Sequence, residues 1–203
     1  HGHEGKGPMV WLDGLDIPQV QFYGATFGEG YDADTFKSET PPGTCNAWYG
    51  ANLRAVDDLP EKPYSPLFCY PFSQSGPALE KLQKSRKPNP WLGYKMEYHN
   101  PMDGGPVMPT LSAFLHGMPK QFISQPYQTT EHQVFSVKEG SGRTWIGEGE
   151  DQIEISWKPK DHFVIPGWYR YSHQIENDSV LFSFSDQGSQ QKLGIWREKQ
   201  HEI

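Results

Sequence analysis

The sequence predicts a mainly β protein of the sandwich or barrel class. Short stretches of alternating apolar and polar residues recur in its second half, at intervals of about eight to twelve residues with turn residues between them. Glycine (21 residues) and proline (18 residues) are abundant, and aromatic residues make up 14% of the chain. This composition is typical of β proteins with many turns and a core of aromatic rings. Long helix-forming stretches are scarce.

The strands of the second half are predicted from the period-two alternation of apolar side chains. Ile153, Ile155 and Trp157, for example, alternate with polar neighbours. The glycine-rich residues 139–142 are predicted to form a turn. In chain order, the predicted strands are 134–138, 143–146, 153–157, 163–165 and 180–185, with a further turn at 158–161.

Residues 32–105 have a different pattern, because prolines interrupt them repeatedly. We predict that they form an irregular connecting arm and not a compact sheet. The one helix expected in this arm begins at Ser75, with Pro77 in its first turn, and continues to Lys84 with apolar residues spaced three apart.

Composition and charge exclude several classes of function. The 203 residues allow one generous domain, or one domain with a long extension. Acidic residues outnumber basic ones by 25 to 18, for a net charge of −7, which argues against a nucleic-acid partner. The longest apolar runs, such as 163–165, are far too short to cross a membrane. Cys45 and Cys69 do not make a disulfide framework, so we expect a reduced, cytoplasmic protein.

The chain begins with His1-Gly2-His3, the one place in the sequence where metal chemistry suggests itself. In an extended backbone these two side chains point to the same face, and neutral imidazole is the commonest protein metal ligand. We expect one or two strands within residues 1–31. Because a translated protein does not start with histidine, either a leader has been removed or the chain is a fragment.

Several stretches, in order, resemble one known family. Residues 135–142 and 160–171 resemble the two motifs of a cupin, a double-stranded β-helix or jelly-roll-like barrel. The run Trp11-Leu12-Asp13-Gly14-Leu15-Asp16-Ile17-Pro18, which follows the histidines, is similar to the end of the second motif in the first cupin of gentisate 1,2-dioxygenase-like bicupins. Residues 65–68 and 184–186 also look like that family.

The resemblance implies a division of the chain into three parts. Residues 1–31 would be the C-terminal remnant of a first, metal-binding cupin. Residues 32–105 would be the inter-barrel arm with its short helix, and residues 106–203 a second cupin barrel. On this interpretation the chain is the C-terminal fragment of a longer protein.

The resemblance also implies a non-haem Fe(II) site held by three histidines, at which an aromatic acid and O2 meet. His1 matches the third metal ligand, and the other two would lie upstream of it. His3 matches a histidine that faces the substrate, and Asp13 an acidic residue of the same pocket. We therefore predict His3 and Asp13 as catalytic residues, although turn formation beside Gly14 explains Asp13 equally well. Asp16 is predicted to have a turn role alone.

The second barrel departs from the metal-binding pattern of a cupin. Tyr127-Gln128-Thr129 aligns with its H-x-H, and Tyr171 with its third histidine. Phenol, amide and hydroxyl groups bind divalent transition metals weakly. We expect a structural barrel, with His173 hydrogen-bonded inside it and His132 facing solvent; a shifted alignment would recruit both to a metal.

The implied parent protein is a ring-cleaving dioxygenase that inserts both atoms of O2 into gentisate, salicylate or 1-hydroxy-2-naphthoate. The isolated chain is expected to be inactive, to hold no iron stably and to form a homo-oligomer. An alternative is a non-catalytic cupin scaffold that serves oligomerisation. A third hypothesis is a secreted histidine-brace copper oxygenase, in which the amine and imidazole of His1 bind copper and Cys45–Cys69 is a disulfide.

Overall fold

The computed structural model describes residues 3, 5–37, 40–51, 53, 56–57 and 63–202. The chain forms two compact units, residues 1–31 and residues 32–203.

The first unit has one regular element among its described residues, helix α1 (Ile17–Phe22). The backbone carbonyl of Asp16 accepts hydrogen bonds from the amides of Gln19 and Val20 at 3.0 and 3.2 Å, and Pro18 occupies the first turn. The described part of residues 1–31 contains no strand, so the strands expected there are wrong. A strand is stable only when a neighbour pairs with it, and the described residues of this unit offer none.

Helix α3 (Phe72–Ser85) is the predicted helix of the arm, and it is preceded by the short helix α2 (Thr44–Tyr49). It begins three residues before the predicted start, because the amides of Gln74 and Ser75 both bond to the carbonyl of Pro71 and close the first turn there. Pro77 lies inside the helix, where it removes one backbone donor.

The second unit is built on one curled antiparallel sheet, which confirms the mainly β prediction. Its strands are β1 (Tyr94–Tyr98), β2 (Ser112–Met118), β3 (Tyr127–Thr129), β4 (Gln133–Ile146), β5 (Ile153–Trp157), β6 (His162–Ile165), β7 (Tyr171–Ser185) and β8 (Glu198–Gln200). The strand order is β1-β2-β7-β3-β8, and β4 pairs with β5, β6 and β7. A 3-10 turn (Gly149–Asp151) precedes β5, and helix α4 (Gln187–Lys192) follows β7. Strand β1 belongs to this sheet although the arm was predicted to be irregular.

The predicted turn at residues 139–142 is wrong, because β4 runs through it without a break. The register with β7 shifts between Val137 and Gly142, which marks a bulge. At its centre Gly140 has φ +86°, and a Cβ atom there would lie 2.1 Å from the Ser179 hydroxyl oxygen. The bulge lets the first half of β4 pair with β6 and the second half with β5. Gly140 and Gly142 therefore bend a long strand and do not form a turn.

The remaining strand predictions agree with the structure. Residues 153–157 and 163–165 are strands, and the turn between them is closed by a 3.1 Å hydrogen bond from the amide of Asp161 to the carbonyl of Lys158. The last predicted strand, 180–185, is the second half of β7, which is much longer than expected.

The main core lies inside the curled sheet, and five of its eleven buried residues are aromatic. The ring of Phe135 stacks on that of Phe163, with centroids 5.0 Å apart and planes at 4°, and Trp157 stacks on the same Phe163. A smaller cluster of Leu79, Tyr94 and Leu115 packs α3 against β1 and β2. No helix in the described part of the chain is long and apolar enough to cross a membrane.

Candidate functional site

The residues predicted for the iron-binding first barrel belong to the first unit. His1 lies outside the described residues. His3 and Asp13 are exposed, and the imidazole of His3 lies against Gly5, where a Cβ atom would be 2.6 Å from its Cε1. Asp16 lies at the N-terminus of α1, and residues 13–16 form no turn, so the turn role predicted for Asp16 is not observed. The roles of His1, His3 and Asp13 remain predictions.

At the positions of the missing histidines, the second barrel holds buried phenols. The hydroxyl of Tyr127 donates to a Glu198 carboxylate oxygen, and the hydroxyl of Tyr171 accepts from the Gln133 amide nitrogen at 3.2 Å. The two rings meet edge to face at 5.8 Å. Burial raises the pKa of both phenols, so they are neutral at physiological pH and are poor metal ligands.

His173 is a hydrogen-bonded residue inside the barrel, as predicted. It is 2% exposed, and its Nδ1 lies 2.8 Å from the Thr144 hydroxyl, which also accepts a 2.9 Å hydrogen bond from the Trp157 indole. Because an indole N–H only donates, the Thr144 hydroxyl accepts from Trp157 and can use its own proton to donate to Nδ1, which places the imidazole proton on Nε2. Burial lowers the pKa of His173 to about 4, so the ring is neutral near pH 7.

His116, on β2, is a second buried imidazole of the barrel. Its Nε2 lies 2.7 Å from the Ser183 hydroxyl, and its ring lies 5.3 Å from that of Phe135. Burial holds its pKa well below the usual range, and the nearby Lys95 ammonium lowers it further. This ring is also neutral and engaged with a hydroxyl.

A buried ion pair joins β1 to the segment before β4. The Lys95 ammonium lies 3.9 Å from a Glu131 carboxylate oxygen and 3.9 Å from the centroid of the Phe114 ring. The Glu131 side chain is 1% exposed and also accepts a hydrogen bond from the Ser185 hydroxyl. Burial lowers the pKa of Lys95 and raises that of Glu131, so desolvation outweighs their mutual attraction.

Sequence reasoning missed Lys95, Glu131 and His116. Lys95 and His116 lie on neighbouring strands, and only the pairing of β1 with β2 puts them opposite each other. No local motif marks them, because their chemistry comes from burial that the fold creates.

His132 faces solvent, as predicted, with its side chain 66% exposed and its Nδ1 3.2 Å from Asp186. His173, by contrast, is enclosed by aromatic rings. The structure does not bring these two imidazoles together. It therefore gives no support to the shifted alignment, in which both would bind a metal.

The second barrel does not fit a three-histidine iron site. Its buried imidazoles, His116 and His173, bond to hydroxyls, and its aligned phenols bond to Glu198 and Gln133. Within the described ranges, no group of three or more His, Cys, Asp or Glu side chains could hold a metal ion. Cys45 and Cys69 are free thiols, unlike the disulfide of the copper hypothesis.

Comparison with known proteins identifies the fold and the family. No family model matches the chain. It is 45% identical to gentisate 1,2 dioxygenase 1 of Aquipseudomonas alcaligenes over 201 residues, which are 99% of this chain and 57% of that protein. It is 32% identical to the 5-aminosalicylate 1,2-dioxygenase of a Comamonas species, over 98% of this chain and 52% of the relative. The structure of salicylate 1,2-dioxygenase from Pseudoaminobacter salicylatoxidans with gentisate superposes with a TM-score of 0.80, at 26% identity, over 93% of this chain and 52% of that one.

The curled antiparallel sheet with its buried aromatic core is a cupin fold, as the motifs predicted. The chain belongs to the gentisate 1,2-dioxygenase-like family of cupin proteins. It spans about half the length of the curated relatives that it matches.

Proposed function

We propose that this chain is part of a ring-cleaving dioxygenase that acts on gentisate or a closely related hydroxy-aromatic acid. The observation that carries the proposal is the 45% identity to a gentisate 1,2-dioxygenase along 99% of the chain. The structural similarity to a salicylate 1,2-dioxygenase that holds gentisate supports the same class of substrate.

Residues 1–31 would contribute to an iron-binding barrel that the rest of the protein completes. No described residue of this unit is buried, and Val10, Phe22 and Phe27 are 90%, 84% and 85% exposed. Apolar side chains exposed at this density are typical of a segment that packs against another surface.

In that barrel His1 would be one of three histidine ligands of Fe(II), which when bound would supply the means to activate O2. His3, two residues further on, would exchange a proton with a substrate hydroxyl, since imidazole is the side chain most often used for general acid–base catalysis. Asp13 would orient this imidazole. Residues 106–203 would form a barrel that binds no metal, because the polar side chains in its interior already have hydrogen-bond partners.

The 203 residues alone would not cleave gentisate, because the remaining ligands would come from outside them. The test compares this chain with the product of the reading frame that includes the coding sequence before His1, each reconstituted with Fe(II) without oxygen. Gentisate loss and O2 uptake are expected for the longer protein only. Iron-dependent cleavage by the 203-residue chain would contradict the proposal.

Variants of the longer protein separate the predicted roles. His1→Ala is expected to lose both iron and activity, whereas His3→Gln keeps iron and lowers kcat by about 10²-fold or more. His132→Gln removes a solvent-facing imidazole of the other barrel and is the matched control. If His3→Gln behaves like this control, His3 has no catalytic role.

A non-catalytic scaffold is the second candidate function. The exposed apolar side chains of the first unit are compatible with it, because they fit an assembly surface as well as a barrel wall. A longer protein that binds no iron and leaves gentisate intact, yet sediments as a defined oligomer, would favour this candidate over the dioxygenase.

A further inference from the structure

Strand β1 lies at one edge of the curled sheet and pairs with β2 only. Within the described part of the chain, the backbone of β1 makes no hydrogen bond to any residue outside that pairing. The amides and carbonyls on the outer side of β1 can therefore accept a further strand. Extended segments commonly bind to such sheet edges through backbone hydrogen bonds.

The other edges of the sheet are less suited to pairing. Strand β8 has three residues, and β6 has four and is followed directly by Pro166. Short strands and prolines at an edge prevent the addition of a further strand. Strand β5 has five residues, as β1 does, but its Glu154 is already paired with Arg143 at 3.4 Å.

Lys95, on β1, has donors available for a second carboxylate. Its side chain is 14% exposed and points into the barrel, where the ammonium lies 3.9 Å from a Glu131 carboxylate oxygen. This distance is too long for a hydrogen bond, and no acceptor among the described residues forms one with the ammonium. An ammonium has three N–H donors, and buried donors without acceptors are costly.

Glu97 lies on the same face of β1 as Lys95, because the two residues are two positions apart. It is exposed, and it forms no salt bridge with any described residue. Its carboxylate attracts the Lys95 ammonium of its own strand only at longer range. One strand thus carries an under-used cation and an unpaired anion side by side.

These two charges become complementary when β1 pairs with itself. If two copies of β1 run antiparallel about a twofold axis at Met96, Lys95 of each copy lies opposite Glu97 of the other. Directly opposite side chains have Cβ atoms about 4.5–5.5 Å apart, which allows an ion pair. On the other face of the strand, Tyr94 lies opposite Tyr98, and aromatic pairs of this kind are also favourable.

The same charges select the register and the partner. A register centred on Lys95 or on Glu97 would place like charges opposite each other, which is unfavourable. A strand of unrelated sequence would cover Lys95 without offering a carboxylate, and inward-pointing charges on edge strands prevent pairing of that kind. A second copy of β1 supplies the carboxylate at the required position.

We propose that this chain forms a twofold dimer in which β1 pairs with β1 of a second copy, with Lys95 and Glu97 in two reciprocal ion pairs. The dimer joins the two curled sheets through their edge strands. The interface belongs to the second unit and does not depend on the proposed dioxygenase function.

The first test combines sedimentation equilibrium of the 203-residue chain, between about 1 μM and about 100 μM, with hydrogen–deuterium exchange at both concentrations. A concentration-dependent dimer is expected, in which residues 94–98 exchange more slowly at the higher concentration. Exchange of residues 153–157 on the β5 edge should not change. A chain that stays monomeric throughout, or a dimer that leaves the exchange of residues 94–98 unchanged, would overturn the proposal.

Charge reversal at Glu97 tests the ion pairs. Glu97→Lys places lysines opposite each other at both symmetric positions, and it should raise the Kd of the dimer by about 30-fold or more. Glu97→Gln removes the attraction without adding repulsion, so it should raise this Kd only about threefold to tenfold. The matched control is Glu154→Lys, the same change of charge on the β5 edge, which should leave the Kd within about twofold.

Thermal unfolding shows whether each variant is folded, and Glu97→Gln carries the test should Glu97→Lys not fold. Association through the exposed apolar side chains of the first unit would be insensitive to both Glu97 variants. A dimer Kd that neither Glu97 variant changes, or that Glu154→Lys raises as much as Glu97→Lys does, would show that β1 is not the interface.

Discussion

The buried imidazole of His173 makes the stability of the barrel depend on pH. Its pKa is about 4 in the folded protein against 6.5 for an exposed histidine. Above about pH 6.5 neither state takes up this proton. As the pH falls from 6.5 towards 4, the unfolded chain binds it first, so stability decreases, and the decrease levels off below about pH 4.

Because of His173, we expect the free energy of unfolding to decrease by about 3 kcal/mol between pH 6.5 and pH 4. Urea unfolding between pH 7.5 and 4 measures this loss of stability. The slope of the unfolding free energy against pH gives the number of protons taken up on unfolding, and His173→Gln should reduce that number by about one. His116 adds a dependence of the same sign, because its pKa is also lowered. An unchanged slope in the His173→Gln variant would show that this imidazole is not buried as a neutral group.

The buried pair of Lys95 and Glu131 gives a second prediction at the scale of single residues. Lys95→Met leaves the Glu131 carboxyl without its cation at 1% exposure, and it should cost about 3–5 kcal/mol. The double variant Lys95→Met/Glu131→Gln removes both charges and should recover a large part of that loss. A double-mutant cycle in urea tests the coupling, with the exposed pair Lys84 and Glu80 as the control. If the stability losses of the two single variants simply add in the double variant, Lys95 and Glu131 are not coupled and the prediction is wrong.

At the scale of elements, the long strand β4 depends on the bulge at Gly140. A Cβ atom at this position would lie 2.1 Å from the Ser179 hydroxyl oxygen and 2.4 Å from a backbone carbonyl oxygen, with φ at +86°. Gly140→Ala therefore combines backbone strain with a steric clash that the sheet cannot relieve.

We expect Gly140→Ala to destabilise the protein by more than about 3 kcal/mol or to prevent folding. Gly149→Ala is the matched control, since its φ is also positive at +64° but no atom lies within 4 Å of the added Cβ. It should cost only about 1–2 kcal/mol. Chemical denaturation of both variants measures the difference, and equal losses would mean that the clash at β4 is absent.

The sequence is sufficient to predict elements whose signal is local. The alternation at 153–157 and the proline-containing turn at 158–161 are such signals, and so is the amphipathic pattern of α3. The signal for the continuity of β4 is not local. The glycines around Gly140 predict a turn, and only the pairing of β7 with residues on both sides of Gly140 shows that the strand continues. The same limit applies to the site. The motif resemblance identified the family, whereas the buried contacts of Lys95, Glu131 and His116 arise only when β1, β2 and β7 come together.

At the scale of the whole molecule, the two units differ in how they are stabilised. The second has the aromatic core, whereas the described part of the first contains no buried residue and exposes most of its large apolar side chains. Removal of residues 1–31 therefore deletes little buried apolar area, and burial of such area is the main source of folding free energy.

A chain of residues 32–203 is thus expected to unfold cooperatively, with a Tm within about 4 °C of that of the full chain, since less than about 1 kcal/mol is lost. It should also associate less, because exposed Val10, Phe22 and Phe27 are removed. Calorimetry and sedimentation of both chains measure the two effects. A variant of the 203-residue chain with Val10, Phe22 and Phe27 changed to serine shows whether weaker association comes from loss of these apolar side chains or from the shorter chain. A large fall in Tm for the shortened chain would show that residues 1–31 stabilise the barrel.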